Sequence, residues 1–243
     1  MHSMQTRPRA VRSLLTFSAM LMAILFGSAA LVGCGSKTND APLPDAATLL
    51  TDSAETTRGE QSVHLQLTVN GEIKELPIAT LSGDLTNAPA VAAQGTADLI
   101  FLGQKLTDVG FVVVDGDLYG AITKGGNMQN FGPAADIYDI SAILNPDNGL
   151  ANVLSSFTDA KAVGREAVSG SDAVKITGTV PADAVNKIAP QLKATAPAPG
   201  TAWIREDGDH QLAQVMLEPS AGNTITMTLT DWGKNVTVTK PGS

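Results

Sequence analysis

The sequence predicts an α+β domain, one large curved antiparallel sheet with helices gathered on one face. Three observations carry that expectation. From about residue 60 apolar and polar residues alternate through most of the chain, the period of a half-buried strand. The runs are short and joined by turn chemistry such as Asp115-Gly116, which suits antiparallel neighbours. Helical spacing is confined to three or four short stretches.

The elements follow in order. Asp45 after Pro44 is placed to cap a helix over Ala46–Arg58 that ends at Gly59, with Leu49, Leu50 and Ala54 as its stripe. Val63, Leu65, Leu67 and Val69 then alternate with His64, Gln66 and Thr68. Ala79, Leu81, Gly83 and Leu85 form a second set, and Ala97, Leu99 and Phe101 share a face in a third. Phe111–Val114 and Leu118–Ile122 flank the Asp-Gly turn. The rhythm breaks at Phe131-Gly132-Pro133. Ile137, Ile140, Ile143 and Leu144 predict a helix over Asp136–Leu144, and Leu150, Val153, Leu154 and Phe157 another over Gly149–Phe157. Strands return at Ala162–Val168 and Ala173–Val180. Pro181 opens a short helix to Leu192, and Lys193–Gly200 reads as a loop. Thr201–Glu206, Gln211–Leu217, Thr224–Thr230 and Asn235–Thr239 complete about ten strands.

The N-terminus is an address. Arg7, Arg9 and Arg12 precede an uncharged apolar run, Leu14–Gly33, that ends at Leu31-Val32-Gly33-Cys34. A transmembrane helix is the competing reading of such a run. Leu-Val-Gly-Cys is the pattern of a bacterial lipobox, whose cysteine takes a diacylglyceryl group, and this decides for a lipoprotein signal peptide. The expected organisation is a leader at 1–33, acylated Cys34 and a tether at 34–44, and one domain at 45–241. Cys34 is the only cysteine, so no internal disulfide exists. Two acyl chains suffice for stable attachment, here to the outer face of the inner membrane.

Charge and motifs exclude several functions. The formal net charge is −8, and without the leader 13 basic and 24 acidic residues remain, net −11. Neither nucleic acid nor a polybasic membrane patch fits that balance. His64 and His210, read as surface residues, lie far from each other and from any cysteine in the sequence, so no zinc spacing occurs, and no calcium loop is present. No G-x-S-x-G and no P-loop are found. No enzyme, metal or cofactor is expected. Small inward residues such as Ala79, Gly83, Ala97 and Gly120, with few aromatics to fill the space, fit a dry aliphatic void under the helices. Tight packing of the helices fits the pattern equally.

The chain resembles the mycobacterial LprG/LprA/LppX lipoprotein family, its LprG branch in particular. The resemblance is carried by Ala41–Ala46 (APLPDA), Leu67–Gly71 (LTVNG), Thr80–Thr86 (TLSGDLT), Phe131–Asp139 (FGPAADIYD), Leu144–Asp147 (LNPD), Gly149–Leu154 (GLANVL) and Gly208–Gln214 (GDHQLAQ). It implies a half-barrel like those of the LolA and LolB carriers, with a large hydrophobic pocket between sheet and helices. It also implies binding of triacylated glycolipids (phosphatidylinositol mannosides, lipomannan, lipoarabinomannan) and triacylglycerides. The implied role is carriage toward the outer envelope alongside a major-facilitator-type transporter, by a monomer and without catalysis. Leu65, Leu67, Val69, Leu81, Ala97, Leu99 and Phe101 are the expected lipid-binding walls, and Ile137, Ile140, Leu150, Val153 and Leu154 the helical lid. At Ala97 the LprG branch carries a larger aliphatic residue, a departure expected to widen the pocket. Gln129, Asn130 and Asp136 are the polar residues expected at its mouth. The rival reading is a structural or signalling lipoprotein acting through its anchor and surface.

Overall fold

The computed structural model describes residues 41–242 apart from Leu102. Cys34, the leader and most of the tether lie outside these residues, as does the side chain of Phe101. All strands, helices and core described below fall within one compact unit that begins at Ala41.

Helix α1 (Ala46–Gly59) starts where Asp45 caps it. The Asp45 carboxylate accepts from the Thr48 N–H at 2.8 Å and from the Thr48 hydroxyl at 2.9 Å, and these bonds hold it below the usual carboxylate range. Leu49, Leu50 and Ala54 face the core as the spacing requires. Eleven strands follow: β1 (Ser62–Asn70), β2 (Ile78–Thr86), β3 (Ala92–Phe101), β4 (Gln104–Val114), β5 (Asp117–Gly120), β6 (Gln129–Pro133), β7 (Thr158–Val168), β8 (Ser171–Val180), β9 (Ala198–Arg205), β10 (Leu212–Ser220) and β11 (Asn223–Thr230). Among the described residues, helices α2 (Leu150–Ser155) and α3 (Ala182–Ile188) complete the regular structure, with 3₁₀ turns between.

The sheet is open and antiparallel, in the order β6-β5-β4-β3-β2-β1-β11-β10-β9-β8-β7. It is two meanders, β1–β6 and β7–β11, joined where the first strand pairs with the last. Consecutive strands are hydrogen-bonded neighbours within each meander, as short turns dictate. The helices pack on one another and onto one face: α2 lies between α1 and α3, and α1 reaches β7 and β9.

Three expectations change. Asp136–Leu144 is not a helix but two 3₁₀ turns, Ala134–Asp136 and Ile140–Ala142. The Asp139 carboxylate binds the N–H and hydroxyl of Ser141, and Asn145 binds the N–H groups of Asp147 and Asn148. Such local side-chain acceptors compete with helical backbone bonds. Asn235–Thr239 forms no strand, because both sides of β1 are already taken by β2 and β11. β6 went unread because Gln-Asn-Phe-Gly-Pro has no alternation, and β9 reaches back into the expected loop at Ala198.

The connection across the concave face is pinned by Tyr138, whose hydroxyl donates to the Ile188 carbonyl at the end of α3 at 2.8 Å. Burial pushes this phenol far above its ordinary pKa. Tyr138→Phe is expected to cost roughly 1–2 kcal/mol, because a part-buried carbonyl loses its donor while the ring still packs. Urea unfolding with an unchanged slope checks this.

Candidate functional site

Directly paired residues share a face, so the register sorts the concave side chains into rows. One row runs Val63–Leu85–Ala93–Val113–Leu118, the next Leu229–Leu65–Gly83–Gly95–Phe111–Gly120, and the third Val215–Met227–Leu67–Leu81–Ala97–Val109. Beyond a bulge, Leu99 lies opposite both Ile78 and Leu106.

The two halves of this face differ. Under the helices, Val174, Ile176, Ala202, Ile204 and Leu212 are 0% exposed. On β2–β5, Leu81, Leu99, Leu106, Phe111 and Leu118 are only half-buried. At the rim Phe131 is 51% exposed and Ile137 64%. Exposed aromatic and aliphatic side chains beside a half-covered apolar face mark a surface with unused apolar capacity.

The expected strand residues come together on the concave face, with Leu65, Leu67 and Ala97 already buried. Leu65, Leu67, Val69, Leu81, Ala97 and Leu99 share the concave face, and Ala97 (7% exposed) stands between Leu81 and Val109. Phe101 ends β3. The expected lid divides. Ile140 is half-buried against the core and Ile137 is exposed. Leu150, Val153 and Leu154 are buried in the main core cluster, so they hold α2 in place rather than face an opening. Gln129, Asn130 and Asp136 are exposed, and Asn130 is engaged with Asp117 at 3.0 Å.

The glycines do not leave the expected space. A Cβ at Gly83 would meet the Phe111 ring at 3.1 Å, and one at Gly120 the Phe131 ring at 3.1 Å. Phe157 covers Gly178 and Gly200 in the same way. The few aromatics thus lie over glycine positions on the sheet. Phe111, Phe131 and Val109 belong to the site yet were not singled out from the sequence; strand register relative to Ala97 and Gly83 would have found them.

Two hollows stand out, and neither is bounded by α2 or α3. One of about 310 Å³ lies among Gly59–Ser62, Thr86, Ala88 and Gly233–Val236, where burial pushes the Glu60 carboxyl up. The other, about 190 Å³, is lined by Gln66, Thr68, Thr80, Ser82, Thr96, Asp98 and Asp108 together with Leu67, Leu81 and Ala97. Its polar residues alternate with the concave-face rows, which places it on the opposite, polar face. Neither suits a lipid with several chains, since sites for drug-sized ligands alone measure about 300–1,000 Å³.

An ion pair on β7 secures the first described residues. Arg165 on β7 makes a paired contact with Glu206 (2.6 and 2.7 Å) and donates to the carbonyls of Ala41 and Pro42. The Arg165 bonds hold the Glu206 carboxyl below its ordinary range. A lowered carboxylate pKa gives stability that is present above the unfolded value, about 4.3, and lost as pH falls through the folded one. Wild-type protein is thus expected to lose more stability than Glu206→Gln between pH 5 and pH 3, measured by thermal unfolding. Among the described residues no group of His, Cys, Asp and Glu is arranged to hold a metal, and no helix is long and apolar enough to cross a membrane.

The comparisons agree with this geometry. Residues 45–238 match the LppX_LprAFG lipoprotein family. The lipoarabinomannan carrier protein LprG of Mycolicibacterium smegmatis is 62% identical over 99% of this chain and all of its own. The protein of the same name from Mycobacterium tuberculosis is 49% identical, over 92% of this chain and 94% of its own. Among solved structures, LprF from Mycobacterium bovis superposes with a TM-score of 0.74 at 30% identity, covering 84% of this chain and all of that one. Mycobacterium tuberculosis LppX gives 0.62 at 26%, covering 80% and 98%. With an open eleven-stranded antiparallel sheet, helices on one face and these relatives, the chain belongs to the LppX_LprAFG lipoprotein family.

Proposed function

We propose that the domain is a lipid carrier of the cell envelope. In this reading it is exported and anchored through acylated Cys34 to the outer face of the inner membrane. It takes up triacylated glycolipids of the phosphatidylinositol mannoside, lipomannan and lipoarabinomannan class, and triacylglycerides. It then passes them toward the outer envelope, in concert with a membrane transporter.

The observation that carries this reading is the unequal cover of the concave face. The β8–β10 half is sealed, whereas the β2–β6 half keeps half-buried and exposed apolar side chains. Extracting one chain of about 15 CH₂ from a bilayer forgoes about 12 kcal/mol at 0.8 kcal/mol per CH₂, which only an apolar enclosure offsets. Acyl chains entering over the half-buried Leu81, Leu106, Phe111 and Leu118 would bury that face. Residues 134–149, held by short turns and Tyr138 rather than by a full helix, are the segment that yields. That relatives are named lipoarabinomannan carrier proteins supports the glycolipid part of this reading.

Native mass spectrometry of the domain from Ala41 onward, produced in a mycobacterial host, tests the proposal. Copurifying glycolipid or triacylglyceride is expected. A protein that is bare, and that takes up none of these lipids when they are offered, favours the signalling or structural reading. Ala97→Trp is expected to reduce lipid uptake at least about tenfold while the domain stays folded, because the indole occupies the row between Leu81 and Val109. Uptake equal to wild type counts against Ala97 as a wall residue.

A further inference from the structure

The polar face of the sheet carries a constellation that lipid carriage does not use. His64 on β1 lies directly opposite Asp84 on β2, and Ser82 is two residues before Asp84 on the same face. The His64 Nδ1 to Asp84 Oδ1 distance is 2.7 Å, and Ser82 Oγ lies 3.3 Å from His64 Nε2. A carboxylate only accepts, so in the neutral imidazole Nδ1 carries the hydrogen and Nε2 is left to accept from the Ser82 hydroxyl. That is the order nucleophile, base and orienting acid, recognised by geometry and not by chain position. The imidazole is partly screened, with 26% of its side-chain surface exposed.

A place for a reacting group adjoins it. Ser82 lines the hollow of about 190 Å³, with Gln66 and Thr96 facing it from the strands on either side. Gln66 and Thr96 thus bring an amide and a hydroxyl, groups able to donate to a carbonyl oxygen, to the wall beside Ser82. The hollow is smaller than the about 300–1,000 Å³ typical of drug-sized ligands, so a short acyl group fits and a fatty chain does not. The lysines that reach its acidic wall are already paired, Lys105 with Asp98 at 3.0 Å and Lys124 with Asp108. An uncharged substrate suits that wall.

We infer that Ser82, His64 and Asp84 form a hydrolytic site for small uncharged carboxylic esters on the face opposite the lipid-binding one. Ser82 Oγ adds to the ester carbonyl carbon as His64 Nε2 takes its proton. The bond to the alcohol oxygen breaks, and the alcohol leaves with that proton. Water, deprotonated by the same nitrogen, then cleaves the acyl–Ser82 ester, releasing the carboxylic acid and restoring Ser82. Asp84 is a positioning residue that keeps Nε2 free of hydrogen. Leu67, Leu81 and Ala97 also line this hollow, but Ser82, His64 and Asp84 are not among the lipid-wall residues.

The test treats the domain with a fluorophosphonate probe, and separately with p-nitrophenyl acetate and p-nitrophenyl palmitate. The probe is expected on the peptide containing Ser82, with turnover of the acetate and not of the palmitate. Ser82→Ala and His64→Gln should each lower acetate turnover about 100-fold, the scale of a lost nucleophile or base. Asp84→Asn should lower kcat with KM unchanged, whereas a merely structural role would lower the melting temperature instead. Label mapping on the wild-type chain decides independently of whether a variant folds. An unlabelled Ser82, or a Ser82→Ala protein as active as wild type, overturns the inference.

Discussion

Gly95→Ala is expected to unfold the domain or to destabilise it by 3 kcal/mol or more. Gly95 on β3 faces Gly83 on β2. A Cβ at Gly95 would lie 2.6 Å from the Gly83 Cα and inside van der Waals contact with the Ser82 carbonyl oxygen, both rigid backbone. Overpacking typically costs about 1–3 kcal/mol and more where nothing yields. Here the obstruction is the neighbouring strand, which moves only by breaking its ladder. Glycines at such close approaches allow a sheet to bend sharply. Gly164→Ala is the control. A Cβ there meets nothing within 4 Å, so the change is expected to be neutral or stabilising by up to about 1 kcal/mol. Chemical denaturation of both proteins checks the contrast.

The second large effect separates core from rim. Leu154→Ala is expected to cost about 2–5 kcal/mol, the range for emptying a buried leucine site. Leu154 is 1% exposed within the cluster that joins α1, α2, α3 and the sheet. Ile137→Ala should cost less than about 0.5 kcal/mol, since a side chain already in water has little burial to lose. Its effect should fall on lipid transfer, because the exposed rim is where a chain would enter. Equal loss of stability in the two variants would contradict this division. Midpoints of urea unfolding, paired with transfer rates from vesicles, provide the reading.

The strand parity of β1–β3 was legible because one buried face imposes a period of two, and Val63, Leu65, Leu67, Leu81 and Ala97 all fall on the side expected. The cap at Asp45 and the turn at Asp115-Gly116 were legible because their chemistry is local. Residues 134–149 were not: Ile137, Ile140, Ile143 and Leu144 have helical spacing, yet Asp139 and Asn145 bind the backbone and break the helix. Leu150, Val153 and Leu154 read as a lid because apolar helical spacing alone does not say which partner buries it. The glycines misled for a related reason. Their emptiness is visible in the sequence, but that Phe111 and Phe131 lie over them depends on cross-strand register. The same register, pairing His64 with Asp84, sets Ser82 within reach of the imidazole although no sequence motif announces it.

The central claim is that acyl chains bind over the β2–β6 half of the concave face. Loading the domain with a glycolipid bearing a diazirine in its acyl chain, irradiating it and mapping the adducts by mass spectrometry tests this most directly. Adducts should concentrate at Leu81, Ala97, Val109, Phe111 and Phe131 and be lost in Ala97→Trp. Adducts confined to the β8–β10 half, or scattered over the polar face, would contradict the claim.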